Sequence, residues 1–327
     1  MKLKIQILNK FKQEYRVINS SKNGKRLLTN FGYLSILQMT GYIFPIVTIP
    51  YLSRVIGIDS FGMIAFASAI VIWFQTIAEW GFNYSATRDV AKNRENKDIV
   101  SEIFSNVFWA RILLMLLSLS LLLILIVIVP KFKDNSTLIL LTFLIIPGNI
   151  MFPEWFFQGM ERMKYITIFN LLSKAFFTIA IFVFIKQESD YIFHPLLSSL
   201  GSLVSGIIAM YFIIGRWGVK LKKPQFKAIL NIINGSTNVF LNNLIPNLYN
   251  SFSIILLGFY GGVISNGKLD AGVRFIEIFK QFILIISRVF FPFLSRNIDK
   301  HNFFVKINLL FSVSLSLFLF ISAPVLI

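Results

Sequence analysis

Residues 269–293, LDAGVRFIEIFKQFILIISRVFFPF, set ionisable groups among apolar ones at a spacing that could do chemistry. At 100° per residue, Asp270, Arg274, Glu277, Gln281 and Arg288 fall within an arc of about 60° on a helix, and the other faces are mostly Phe, Ile, Leu and Val. Asp270 and Arg274 are four residues apart and Arg274 and Glu277 three, so each acidic group can pair with the arginine. At bilayer depth an Arg or Asp costs about 2.5–3.5 kcal/mol even on a lenient insertion scale, so such an arc turns inward and marks a pathway. A salt-bridge ladder that only holds helices together is the alternative. Arg288, with no acidic neighbour one turn away, favours function.

Two other segments repeat the pattern more weakly. Ser68, Gln75, Glu79 and Asn83 share one side of a helix, as do Thr167, Asn170, Lys174 and Thr178, making Glu79 and Lys174 candidate cavity residues with structural pairing equally open. Arg111, near a helix end, is expected to snorkel to the interface. Ser198, Ser202, Ser205 and Ala209 share a face suited to close helix packing. The charges counted within the apolar spans are Arg111, Lys174, Arg274, Lys280 and Arg288 against Glu79, Asp270 and Glu277. That excess of cations suits an anionic ligand, of which phosphate esters are the common case.

Enzyme chemistry finds little support. The two histidines, His194 and His301, are far apart, and no glycine-rich phosphate loop, metal-ligand pair or serine nucleophile motif appears. There is no cysteine, hence no disulfide framework or thiol metal site. No cofactor is expected.

The elements that must position these residues follow from composition. With 56% hydrophobic residues, 14% charged and a mean hydropathy of +0.72, the chain has more apolar surface than one water-soluble core could hide. It reads as an all-α polytopic membrane protein. Taking about 20 apolar residues per span, nine transmembrane helices are expected, at 28–52, 61–86, 103–129, 137–157, 165–186, 191–215, 232–259, 268–294 and 304–327. With the amino terminus in the cytoplasm, 22 loop cations lie on that side and 5 on the other. The positive-inside rule therefore fixes the orientation and accounts for the net charge of +17 without nucleic acid. Residues 1–27 read as a basic amphipathic segment on the cytoplasmic membrane surface, with Leu3, Ile7, Phe11, Tyr15 and Ile18 at helical spacing, a disordered basic tail being the other reading. PEWFFQGMERMK (153–164) reads as the cytoplasmic edge of the fourth span, with Trp155, Phe156 and Phe157 anchored at the interface.

TRDVAKN (87–93) and SRNIDKH (295–301) match at an offset of 208, and Arg111 with Pro130 matches Lys306 with Pro324. This is an internal repeat of six helices in parallel orientation, a transporter architecture with substrate handled between the halves. The domains expected are a six-helix N lobe (28–215), a cytoplasmic linker (216–231) and an incomplete second lobe (232–327) around a central cavity, the counterparts of 131–215 being absent from the second copy. The first helix of each half is unusual. One holds Gln38, Thr40, Pro45, Thr48 and Pro50, and the other Asn234, Asn238, Asn242, Asn243, Pro246, Asn247 and Asn250. Both are expected to be broken or bent and to line the cavity; hydrogen-bonded packing between helices is the other reading.

The run PEWFFQGMERMKYITIFNLLSK (153–174), the stretch FPIVTIPYLSRVIGIDSFG (44–62) and the paired Arg motifs resemble the polysaccharide transporter family of O-antigen and capsule-repeat flippases. They belong to the multidrug/oligosaccharidyl-lipid/polysaccharide exporter superfamily. LDAGVRFIEIFKQ is similar to a motif of the lipid II flippases in that superfamily, at Arg274 and Glu277. The resemblance implies two lobes, alternating access in the bacterial inner membrane, and a polyprenyl-pyrophosphate-linked oligosaccharide as substrate. Arg274, Arg288 and Lys174 would hold the pyrophosphate. Glu277, Asp270 and Glu79, with Gln281 beside them, would balance those charges or answer a coupling cation of unspecified identity. The partner proteins it implies are a polysaccharide polymerase and chain-length proteins. A cation-coupled drug exporter of the same superfamily, which needs a negative cavity, and a noncatalytic membrane scaffold are the other readings.

Overall fold

The structure, a computed structural model, describes residues 22–262, 264–270 and 272–273. It divides into two units, Met1–Lys268 and Leu269–Ile327. The described part of the second is a helical stretch at 269, 270, 272 and 273. No strand occurs among the described residues. This is what a bilayer demands of a chain whose backbone groups must be satisfied within each segment.

The first unit runs α1 Lys22–Val55, α2 Gly57–Glu79, α3 Phe82–Asn93, α4 Lys97–Ile128, α5 Pro130–Asp134, α6 Ser136–Phe143, α7 Ile145–Met151, α8 Glu154–Gly159 and α9 Met163–Phe184. A 3₁₀ turn (Glu188–Ile192) leads into α10 Phe193–Met210, which continues as a π turn (Tyr211–Arg216) before α11 Phe226–Tyr260. Six segments are long and apolar enough to cross a membrane: Gly32–Val55, Gly57–Asn93, Lys97–Ile128, Ser136–Gly159, Met163–Phe184 and Glu188–Arg216. The first six expected spans fall on them. Helix α11, with 35 residues, is long enough at about 1.5 Å per residue. It is rich in asparagine and is not among the six. The eighth and ninth expected spans, and with them SRNIDKH, Lys306 and Pro324 of the repeat, lie outside the described residues apart from the start of the eighth. So do residues 1–21 of the amino-terminal segment.

Helix boundaries depart from the expected ones for identifiable reasons. Helix α4 begins at Lys97, six residues before the expected span, because Asn96 caps it: its side-chain oxygen accepts from the backbone N–H groups of Asp98 at 3.1 Å and Ile99 at 3.2 Å. The second expected span is not one helix. Trp80 (φ 43°) and Gly81 (φ 73°) are both left-handed and separate α2 from α3. At Gly81 a Cβ would also lie 2.8 Å from Val239 Cγ1 and 2.9 Å from the Phe240 backbone nitrogen, so α11 can approach only a glycine there. The fourth expected span is divided into α6, α7 and α8. Pro147 cannot donate to the preceding turn, and Pro153 stands between α7 and α8. The breaks expected in α1 and α11 are absent, since both run unbroken through Pro45, Pro50 and Pro246. Each proline removes a single donor, a loss that a helix of more than thirty residues absorbs.

Helix α10 packs on α7 and α9, α9 on α1, and α4 and α11 on α2. The serine face of α10 makes the close contact: Ser199 donates to the Leu141 carbonyl at 3.1 Å, Ser202 to Asn149 Oδ1 at 3.0 Å and Ser205 to the Phe169 carbonyl at 3.2 Å. Between α10 and α11 the chain is strapped to α4. Ser101 accepts from the Lys220 N–H at 3.2 Å, Ser105 accepts from the Lys222 N–H at 2.8 Å, and Trp109 Nε1 donates to the Lys222 carbonyl at 3.0 Å.

Trp155, Phe156 and Phe157 are 1%, 0% and 0% exposed and stand inside the main apolar cluster, not at a lipid interface as expected. Phe156 meets Phe104 edge-on at 5.2 Å, and Phe157 meets Trp217 at 5.5 Å. Thr87 on α3 donates to the Trp155 carbonyl at 3.1 Å. Pro153 turns α8 back against α3, which carries the aromatic rings inward. Helical periodicity, which assumes one straight span, could not show that turn.

Candidate functional site

The break at Trp80–Gly81 leaves Glu79 in the last turn of α2, where neighbours one turn away on each side hold it. Gln75 donates to Glu79 Oε1 at 2.8 Å and Asn83, from α3, to Oε2 at 3.4 Å. Helix α11 closes this side. Asn247 donates to Thr76 Oγ1 at 2.9 Å, Trp73 Nε1 to Ser251 Oγ at 3.1 Å, and Trp80 stacks on Phe240 at 3.9 Å. Trp80 Nε1 donates to the Ile233 carbonyl at 3.0 Å, and the hydroxyls of Ser85 and Ser236 meet at 2.8 Å.

The second carboxylate is Glu154, the first residue of α8, placed by Pro153. Asn170 on α9 donates to its Oε1 at 2.7 Å. Lys174, one turn further along α9, acts electrostatically on Glu154, and its Nζ stands 3.4 Å from where a Cβ on Gly41 of α1 would lie. Arg111 on α4 is 3% exposed, and its charge acts on both Glu79 and Glu154. Among the described residues its Nε has no hydrogen-bond acceptor. The expected snorkelling is therefore absent: the guanidinium is buried among the helices, where the charges of Glu79 and Glu154 act on it.

A cavity of about 340 Å³ opens between these elements. Thr76 and Glu79 of α2, Gly81, Asn83 and Tyr84 at the break and in α3, Glu154 and Gln158 of α8, and Asn243 and Asn247 of α11 line it. No Lys or Arg is among these residues. Among the described residues no group of three or more His, Asp or Glu is placed to hold a metal ion.

The structure thus brings Glu79 together with Asn243 and Asn247. It sets Lys174 behind Glu154, outside the lining, and Gln38, Thr40, Pro45, Thr48 and Pro50 of α1 do not line this cavity either. Asn247 satisfies both readings of its helix, since it lines the cavity and bonds across to Thr76. Asp270 is helical and buried. Arg274, Glu277, Gln281 and Arg288 lie outside the described residues. Glu154 was missed, although it falls inside the expected span 137–157 and belongs in the charge count, which drops the cation excess to one. The rule applied to 269–293, that a carboxylate within an apolar span is held for a reason, would have found it.

The family described as "Polysaccharide biosynthesis protein" matches residues 27–298. A protein of Escherichia coli (strain K12) named "Putative O-antigen transporter" is 28% identical over 273 residues, 84% of this chain and 66% of its own. One of the same name from Shigella dysenteriae is 25% identical over 267 residues, 82% of this chain and 67% of its own. The chain thus spans about two thirds of the length of these curated relatives. No solved structure matches it.

Proposed function

Because the chain belongs to the polysaccharide biosynthesis protein family, we propose that it is a flippase for polyprenyl-pyrophosphate-linked oligosaccharide repeat units in surface polysaccharide assembly. It works by alternating access in the inner membrane with its amino terminus in the cytoplasm. The names of the two relatives support the substrate class, and the excess of cations on one side supports the orientation. The observation that carries the reading is the polar cavity among membrane-length apolar helices, where hydrogen-bonding groups have no use against lipid. In this scheme Arg274, with Arg288 and Lys174, holds the pyrophosphate. Glu277, Asp270 and Glu79 balance that charge, and Gln281 lies on the same arc. Polymerase and chain-length proteins receive the product.

One observation favours a second reading. Glu79 and Glu154, with no cation among the described lining residues, give the negative cavity that a cation-coupled drug exporter needs. Deleting the gene and measuring polyprenyl-linked glycans by mass spectrometry separates the two. Accumulation of a completed, unexported repeat unit is expected of the flippase; unchanged glycans with greater sensitivity to cationic drugs would decide for the exporter.

A further inference from the structure

We propose that the cavity walled by α2, α3, α8 and α11 is the subsite for a sugar ring of the transported molecule, with Gln158, Asn243 and Glu154 hydrogen-bonding its hydroxyls beside Tyr84. The proposal rests on the flippase reading and adds where the glycan, as distinct from the pyrophosphate, is recognised.

The lining chemistry points to hydroxyls. A sugar hydroxyl both donates and accepts, and so needs a wall that does the same. Amides supply donors and acceptors, and carboxylates supply acceptors. Among the described residues the side chains of Gln158 and Asn243 have no hydrogen-bond partner in the protein, although both line the cavity. One oxygen of Glu154 is taken by Asn170, leaving the other. The Tyr84 ring offers an apolar face of the kind that packs on the C–H side of a sugar. Size agrees, for at about 30 Å³ per water the cavity equals roughly eleven waters, the scale of one sugar ring rather than of one ion.

Other occupants fit less well. A phosphate would meet two carboxylates and no cation among the described lining residues. A bare cation would compete with Arg111, whose charge already acts on both carboxylates, and would find both Glu79 oxygens accepting from Gln75 and Asn83. It would also leave the amides of Gln158 and Asn243 without a purpose.

The test is equilibrium binding to the full chain in lipid nanodiscs. Two probes are compared: polyprenyl pyrophosphate carrying the repeat unit, purified from the deletion strain, and the same lipid without sugar. Wild type should prefer the sugar-bearing lipid. Gln158→Met and Asn243→Leu should each weaken that lipid about tenfold, the equivalent of about 1.4 kcal/mol, without changing affinity for the sugarless one. Gln158→Met keeps volume, so at least one variant folds, as an unchanged melting temperature verifies. Equal weakening of both lipids, or of neither, overturns the subsite while leaving the flippase reading standing. Binding of radioactive sodium that both variants abolish, with glycan affinity unmoved, overturns it in favour of a cation site. A wild type that binds neither lipid overturns the flippase reading itself.

Discussion

Asn170 donates its side-chain amide to Glu154 at 2.7 Å, joining α9 to a carboxylate that sits at a proline break. A carboxylate deprived of its donor in a protein interior costs about 1–3 kcal/mol. We predict that Asn170→Leu destabilises the detergent-purified protein by that amount, read as a lower melting temperature. Glu154→Gln keeps a carbonyl to accept the same bond and should lose less. Equal destabilisation by both would show that the charge, not the hydrogen bond, holds α8.

The charge of Arg111 acts on both Glu79 and Glu154, which also repel each other. Removing the guanidinium takes away a positive charge that acts on two half-buried carboxylates. We predict that Arg111→Met destabilises by less than the roughly 3–5 kcal/mol of a broken buried contact pair, because its charge reaches the carboxylates without an ion-pair contact. Adding Glu154→Gln should recover part of the loss, with a coupling of about 0.5–3 kcal/mol in the double-mutant cycle. A coupling of zero would mean that the arginine serves something else.

Gly81 is held at φ 73° with α11 against it. Gly81→Ala meets both the left-handed penalty of about 1–2 kcal/mol and the Val239 clash. It should cut membrane levels and glycan export together, whereas Gly32→Ala, with nothing within 4 Å of the new methyl, should not. Normal levels of the Gly81 variant would show that α11 can back away.

The chain has no cysteine, so single introduced thiols report cleanly on sidedness. Glu95 and Lys133 are exposed at opposite ends of α4, a span of 32 residues. From the distribution of loop cations we predict that Lys133→Cys reacts with an impermeant reagent in intact cells and Glu95→Cys only after permeabilisation. The reverse pattern inverts the topology.

For the arc in 269–293 we predict that Arg274→Lys keeps partial export by retaining a point cation, while exchanging Arg274 and Glu277 restores protein level but not export. Normal export by the exchanged protein would make the arc structural and remove Arg274 from substrate contact.

How far the site was legible in the sequence depended on how straight each helix is. Gln75, Glu79 and Asn83 share a side at helical spacing, and the structure brings them together, even though a left-handed break interrupts the run between Glu79 and Asn83. The asparagines of α11 were legible because amides are so poorly suited to lipid that composition alone implies a cavity or a partner. Glu154 was not, because Pro153 redirects the chain there, and a carboxylate beside three aromatic rings matches the pattern of a membrane edge. The same turn hid the burial of Trp155. Arg111 was misread for a related reason: its position near a helix end suggested water, whereas the carboxylates whose charges act on it stand 32 residues before it and 43 after, a relation that no local pattern encodes.

The strap from Lys220 to Lys222 leaves α11 with little slack. Only the few residues between Lys222 and Phe226 join the anchored point to the helix. Helix α11 therefore hangs from α4 as a lever from a short pivot. It cannot swing freely about α10, and any large stroke must either carry α4 along or part the hydrogen bonds of Ser105 and Trp109. Motion of the asparagine wall is thereby geared to the helix that carries Arg111, so displacement of one face of the cavity is transmitted to the charge behind the other.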